Sequence, residues 1–82
     1  MRWLEVNVLI SEPLRIDLTE NAVEDVYTAL KENEFIESVD SVLNGNEVVA
    51  FLVGTEVLTH EDVTEQVSSV LGLHYAGGFS VL

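Results

Sequence analysis

Two histidines are the residues of this sequence best suited to acid–base or metal chemistry. His60 is followed by Glu61 and Asp62, a set that resembles a general base with a carboxylate partner, or the ligands of a hard metal ion. Adjacent residues on a helix do not face one another, so these three side chains are expected to serve the start of a helix instead. His74, beside Tyr75, is expected at a strand end, half packed against aromatic neighbours.

Nucleophilic and phosphate-binding motifs are missing from the sequence. There is no cysteine, and no serine stands in a Gly-x-Ser-x-Gly motif. The pair Gly77-Gly78 is too short to cradle a phosphate and precedes a predicted strand, so it is expected to form a turn or a bulge. We therefore predict a protein that is not an enzyme and that holds no metal or cofactor.

Carboxylates dominate the charged residues. The chain has 15 Asp and Glu against 3 Lys and Arg, for a formal net charge of −12. Phosphate contacts need clustered cations, and only Arg2, Arg15 and Lys31 are present. Direct binding of nucleic acid is therefore disfavoured, and binding to anionic membranes is disfavoured for the same reason.

Four carboxylates are predicted on the outward faces of two helices: Glu20 and Glu24 on the first, Glu61 and Glu65 on the second. A charge run of this kind usually forms a solvated surface. Two sharper hypotheses remain open. The acidity is either an adaptation to a high-salt host, or it imitates a DNA backbone, as a virus-encoded inhibitor would, and binds a basic macromolecular partner.

The first half of the chain predicts a strand followed by a helix. Every second residue is apolar in the set Leu4, Val6, Val8 and Ile10, which is the period of a half-buried strand. Residues 11–16, with Pro13, are predicted to form a loop. Thr19 is the predicted N-cap of the first helix, with Leu18 and Val23 as a hydrophobic staple and Asn33 near its end.

The second half predicts a hairpin, a helix and a final strand. Residues 35–43 and 47–53 flank Asn44-Gly45, a strong hairpin turn signal. Thr59 is the predicted N-cap of the second helix, in a capping box with Asp62, and Gly72 is its predicted left-handed stop. Residues 75–82 are predicted to form the last strand.

These elements predict a ferredoxin-like α+β domain over residues 1–82. Its βαββαβ order gives a four-stranded antiparallel sheet of order 4-1-3-2 with two helices on one face. The two halves echo each other at an offset of forty residues, as Leu18-Thr19 and Leu58-Thr59 show. Two related βαβ units explain the echo, and so do the shared preferences of capped amphipathic helices.

Length and composition bound the stability of such a domain. With 48% hydrophobic and 22% charged residues the chain is expected to fold. At 82 residues its core is only marginally sufficient, and no disulfide is available. Self-association is the remaining common route to stability. No apolar run is long enough to span a membrane and no signal peptide is recognisable, so a cytoplasmic location is expected.

The uncovered face of the predicted sheet is the candidate site. Trp3 and Leu9 are expected there, together with Val49 and Phe51 of the third strand, as an interface with a second copy. Alternatively, the C-terminal segment or residues 11–18 cover this face. The predicted function is that of a small acidic interaction protein that forms a homodimer or higher homo-oligomer. The alternative is a regulatory small-ligand-binding domain of βαββαβ type.

Overall fold

Six elements make up the fold in the computed structural model, which describes residues 2–10, 20–44 and 48–82. The sheet has the order β2-β3-β1-β4 and all its neighbouring strands are antiparallel. The predicted ferredoxin-like α+β fold is confirmed. The elements are β1 (Arg2–Ile10), α1 (Glu20–Glu32), β2 (Ser38–Asn44), β3 (Val48–Thr55), α2 (His60–Leu71) and β4 (Phe79–Val81).

The long pairing of β1 with β3 fixes which side chains enter the core. In this register Val6 lies opposite Phe51 and Val8 lies opposite Val49. Residues directly opposite each other in an antiparallel pair point to the same face of the sheet. All four side chains are buried, so this face is the one that the helices cover.

Both helices pack on this same face through apolar stripes. Residues at a spacing of four are buried in each helix, as expected for a stripe that faces a core. The partly buried aromatic residues Tyr27, Tyr75 and Phe79 lie at the margin of this core. The buried helical residues are Ala22, Val26 and Leu30 in α1 and Val63, Val67 and Leu71 in α2.

Side-chain hydrogen bonds hold the two helices antiparallel. The Gln66 side chain donates to the carbonyl oxygen of Ala29 at 3.1 Å and accepts from the Asn33 amide at 2.9 Å. At the other end of the helix pair, His74 Nε2 lies 2.8 Å from a carboxylate oxygen of Asp25. The start of α1 therefore lies beside the segment that follows α2.

The predicted capping box at the start of α2 is confirmed. The Asp62 backbone N–H donates to the Thr59 hydroxyl at 3.2 Å, and the Thr59 backbone N–H donates to the Asp62 carboxylate at 3.0 Å. The hydrogen bond from the Thr59 backbone N–H lowers the pKa of the Asp62 carboxyl group below its ordinary value, and the Thr59 hydroxyl makes a smaller contribution in the same direction. The predicted cap at Thr19, the loop over residues 11–16 and the turn residue Gly45 lie outside the described residues.

The predicted left-handed stop at Gly72 is wrong. Gly72 has φ −62° and ψ −19°, and its N–H donates to the Ser68 carbonyl oxygen at 2.9 Å. The backbone stays in helical turns through His74, whose N–H donates to the Leu71 carbonyl oxygen at 3.0 Å. Gly78, directly before β4, has a positive φ of 84°.

The strand boundaries also differ from the predicted ones. The predicted last strand, 75–82, contracts to Phe79–Val81 because the chain must first leave the helical turns and reverse at Gly78. The strand expected from position 35 begins at Ser38. Residues 34–35 form a turn instead, in which the Phe35 N–H donates to the Asn33 side-chain oxygen at 2.9 Å.

Thr55 is a buried polar residue that joins two loops. Its hydroxyl donates to the Phe35 carbonyl oxygen at 2.6 Å and accepts from the backbone N–H groups of Val57 (3.3 Å) and Leu58 (3.2 Å). The hydroxyl therefore serves three backbone groups, in the α1–β2 loop and in the β3–α2 loop. A buried hydroxyl without hydrogen bonds lowers the stability of the folded state. The three hydrogen bonds of Thr55 avoid this cost, so the residue can remain in the core.

Replacing the Thr55 hydroxyl tests this role. Thr55→Val keeps the shape but leaves one carbonyl and two N–H groups without their partner, and we expect it to lower the free energy of unfolding by about 2–4 kcal/mol. Thr55→Ser keeps the hydroxyl and is expected to cost about 1 kcal/mol. Urea unfolding measures both. Equal losses in the two variants would contradict the hydrogen-bonding role.

The two glycines Gly72 and Gly78 should respond oppositely to alanine. At Gly72 a Cβ would approach the Ser68 carbonyl oxygen to 3.4 Å, an ordinary contact, and Gly72→Ala is expected to stabilise the protein by about 0.5–1 kcal/mol. At Gly78 the positive φ penalises a side chain, and Gly78→Ala is expected to destabilise it by about 1–2 kcal/mol. Thermal unfolding of both variants, each compared with wild type, gives the two signs.

Candidate interaction surfaces

The sheet face opposite the two helices is the principal surface of interest, and we call it the open face. Its members alternate along each strand with the core residues and are paired across the strands by the observed register. Leu82 joins them because its N–H and carbonyl group exchange hydrogen bonds with Asn7, at 2.8 and 3.0 Å. The described members are Trp3, Glu5, Asn7, Leu9, Ser38, Asp40, Val42, Ala50, Leu52, Gly54, Ser80 and Leu82.

Three large apolar side chains are half exposed on the open face. The exposed fractions are 50% for Trp3, 51% for Val42 and 57% for Leu82. Leu9 and Leu52 lie on the same face and are partly buried. These side chains come from β1, β2 and β3 and from the residue directly after β4, so they are distributed across the whole width of the sheet.

Trp3 lies at one end of the open face, directly opposite Gly54. Gly54 is buried although it has no side chain, and the adjacent large side chain on this face is the Trp3 indole. An aromatic residue across from a strand glycine is a common way to cover the exposed backbone. The register therefore places Trp3 where its indole can cover the Gly54 backbone, and half of the side chain remains exposed to solvent.

The predicted places of Val49 and Phe51 on the open face are wrong. Both are buried in the core, where they face the helices opposite Val8 and Val6. The two faces of β3 are both apolar, so its pattern did not reveal which one points inward. Ala50 and Leu52 take the positions on the open face instead, whereas Trp3 and Leu9 lie on the predicted face.

Two carboxylates lie within the open face. Glu5 and Asp40 are each paired directly with Leu52, one from β1 and one from β2, and both are exposed. Among the described residues of this face there is no lysine, arginine or histidine. Arg2 lies in β1, but at a position that alternates with those of the open face. Its guanidinium donates to the Leu58 carbonyl oxygen. The open face is therefore apolar and negatively charged.

The four predicted acidic residues of the helices do not form one compact patch. Glu20, Glu24, Glu61 and Glu65 are all exposed. Because the helices are antiparallel, the first two lie near one end of the helical layer and the last two near the other. The pairs are separated by roughly 10 Å or more along the helix axes, at a rise of about 1.5 Å per residue.

Neither histidine takes part in a catalytic arrangement with its sequence neighbours. His60 Nε2 lies 3.0 Å from the backbone carbonyl oxygen of Glu5 on β1; because a carbonyl only accepts, this nitrogen donates. Asp62 is occupied by the capping box. The ring centroid of His74 is 6.2 Å from that of Tyr75, and its Nε2 contacts Asp25. The predicted position of His74 at a strand end is wrong, because the helical turns after α2 continue through this residue and β4 begins at Phe79.

A second exposed apolar surface was not predicted from the sequence. Phe35 and Val57 lie on the two loops joined by Thr55, and their exposed fractions are 48% and 66%. The alternating pattern placed Phe35 inside a strand. Only the turn that precedes Ser38 shows that this side chain is free to point outward.

Comparison with protein-family models, with curated proteins and with solved structures finds no match for this chain. Neither α1 nor α2, the helices of the described ranges, is long and apolar enough to cross a membrane.

Substitutions on the two faces of β3 test their assignment. Phe51→Ala removes a buried aromatic ring from the core and is expected to cost about 3–5 kcal/mol of unfolding free energy. Leu52→Ala, one residue away on the open face, is expected to cost about 1 kcal/mol, because Leu52 is partly exposed. Urea unfolding at low protein concentration, where copies do not associate, compares the two. The reverse order would show that the faces are exchanged.

Proposed function

We propose that this chain is a non-enzymatic interaction protein that associates with a second copy of itself through the open face. The observation that carries the proposal is the group of half-exposed apolar side chains, Trp3, Val42 and Leu82, on a sheet face that neither helix covers. Large apolar surfaces that stay exposed on a folded domain are typical of interaction sites. Two sheets that pack face to face lie about 10 Å apart and interdigitate such side chains.

Burial of these side chains supplies enough free energy for a dimer of modest affinity. Completing the burial of a half-exposed Val or Leu contributes roughly 1 kcal/mol, and that of a half-exposed Trp roughly 2–3 kcal/mol. In a two-fold dimer each contribution occurs twice. The total of roughly 9 kcal/mol exceeds the lower estimates of the cost of association, about 4 kcal/mol. The difference of roughly 5 kcal/mol corresponds to a dissociation constant of about 0.2 mM, so we expect association at submillimolar to millimolar concentration.

Charge determines how this association depends on salt. Each copy has a formal net charge of −12, and the open face itself contains Glu5 and Asp40. Copies that approach each other therefore repel, and salt screens this repulsion over a Debye length of about 10 Å at 0.1 M. Self-association is expected to strengthen as salt is added, which is opposite to the salt dependence of binding to a basic partner.

Sedimentation velocity and tryptophan fluorescence test the proposal together. Trp3 is the only tryptophan of the chain, so its emission reports on the open face. We expect a concentration-dependent dimer whose formation shifts the emission to shorter wavelength. The variant Val42→Ser/Leu82→Ser keeps the reporter and is expected to weaken the dimer at least about a hundredfold, because the two side chains contribute roughly 4 kcal/mol per dimer.

Leu73→Ser is the matched control, because Leu73 is 85% exposed and lies after α2, away from the open face. This variant is expected to associate like wild type. A wild-type protein that stays monomeric at millimolar concentration, in both low and high salt, would contradict the proposal. Equal weakening by the Leu73→Ser control would show that association does not depend on the open face.

The other functional expectations stay predictions. Two of them explain the negative charge: the helical carboxylates bind a basic macromolecular partner, or the protein is adapted to a high-salt host. The response of the protein to salt distinguishes these two hypotheses. A protein adapted to high salt unfolds more readily when salt is withdrawn, whereas a DNA mimic stays folded and binds its partner more tightly. A regulatory ligand-binding role is tested by thermal shift with a ligand set. The cytoplasmic location stays a prediction from the sequence.

A further inference from the structure

The end of the sheet where α1 leads into β2 and β3 leads into α2 carries a surface of its own. Phe35 and Val57 present exposed fractions of 48% and 66% there. The carboxylates of Glu34, Glu37 and Glu56 are exposed on the same two loops. We call these five residues the loop surface. They share no residue with the open face.

The backbone of the loop surface is held in place before any partner binds. The Thr55 hydroxyl joins the Phe35 carbonyl group to the Val57 N–H, and the Glu37 N–H donates to the Gly54 carbonyl oxygen at 2.8 Å. Both loops are therefore fixed to the last two residues of β3. A partner that binds here does not need to order the loop backbone, which removes part of the entropic cost of association.

The charges next to the apolar pair determine what kind of partner fits. Three carboxylates adjoin Phe35 and Val57, and the whole chain is strongly negative. An anionic partner is therefore repelled, and a second copy of this chain would bring carboxylates against carboxylates. A cationic partner with apolar side chains matches both features, since it neutralises Glu34 and Glu37 and covers Phe35 and Val57.

We infer that the loop surface binds a basic segment of a partner protein, in which lysine or arginine residues flank apolar side chains. This inference goes beyond the proposed self-association and uses different residues. It also places the basic partner elsewhere than the sequence predicted, on the loops rather than on the helical carboxylates Glu20, Glu24, Glu61 and Glu65. The apolar pair provides the anchor, and the carboxylates provide the attraction and the preference for positive charge.

A titration followed by amide chemical shifts tests the inference. The probe is a ten-residue peptide of alternating lysine and leucine, and deca-lysine is the comparison. We expect shifts centred on residues 34–37 and 55–58, and binding of the mixed peptide at least tenfold tighter than that of deca-lysine. Phe35→Ser/Val57→Ser is expected to weaken the mixed peptide at least tenfold, whereas Glu34→Gln/Glu37→Gln is expected to reduce the salt dependence of binding.

The matched controls are Leu73→Ser for the apolar pair and Glu20→Gln/Glu24→Gln, at the opposite end of the helical layer, for the carboxylates. Both are expected to bind like wild type. Circular dichroism and thermal unfolding verify that each variant is folded. Shifts centred on the helical carboxylates, binding that Phe35→Ser/Val57→Ser leaves unchanged, or concentration-dependent shifts at these loops without peptide would each overturn the inference. The last result would identify a second copy as the occupant.

Self-association is measured separately on the same loop variant. Because Phe35→Ser/Val57→Ser leaves the open face intact, its sedimentation should match that of wild type whether or not the peptide binds. Loss of peptide binding with unchanged sedimentation would therefore show that the substitutions affect the loop surface and leave self-association intact. A monomeric wild type that still binds the mixed peptide would contradict the proposed function and leave the loop surface supported.

Discussion

The register between β1 and β3 is the constraint on which the rest of the structure depends. It places Val6 and Val8 opposite Phe51 and Val49, and these buried side chains form the part of the core that the sheet contributes. A shift of one residue would turn one strand's core side chains to the other face, because side chains alternate with a period of two. The same register fixes the composition of the open face, so core and candidate interface are set by one arrangement.

The end of β3 connects this sheet to the loops. Gly54 and Thr55 are buried and adjacent, and each meets the neighbouring structure differently. Gly54 lies across from Trp3 and accepts a hydrogen bond from the Glu37 N–H, whereas the Thr55 hydroxyl holds Phe35 and the start of the next loop. Thus the positions of Trp3 on the open face and of Phe35 on the loop surface depend on the consecutive residues Gly54 and Thr55. Substitutions at these positions affect stability and both candidate surfaces together.

The element order, the strand order and the capping box at Thr59 could be predicted from the sequence, since each rests on local patterns with known geometry. The face of β3 could not, because Val49, Phe51 and Val53 alternate with Ala50 and Leu52 and both sets are apolar. The smaller volume of Ala50 and Gly54 is a weak hint that the odd-numbered residues form the core. The loop surface could not be predicted either, since the exposure of Phe35 follows from a turn stabilised by Thr55, twenty residues away.

Charge links the two proposed interactions. A net charge of −12 opposes contact between copies, while the same charge attracts a basic segment to the loop surface. A bound basic segment lowers the net charge of each copy and thereby lowers the repulsion at the open face. By thermodynamic linkage, the dimer then binds the basic segment more tightly by the same factor. Because the coupling is electrostatic, it is strongest in low salt and declines as the Debye length shortens. The acidity of this chain thus opposes self-association, and we expect a bound basic partner to weaken that opposition.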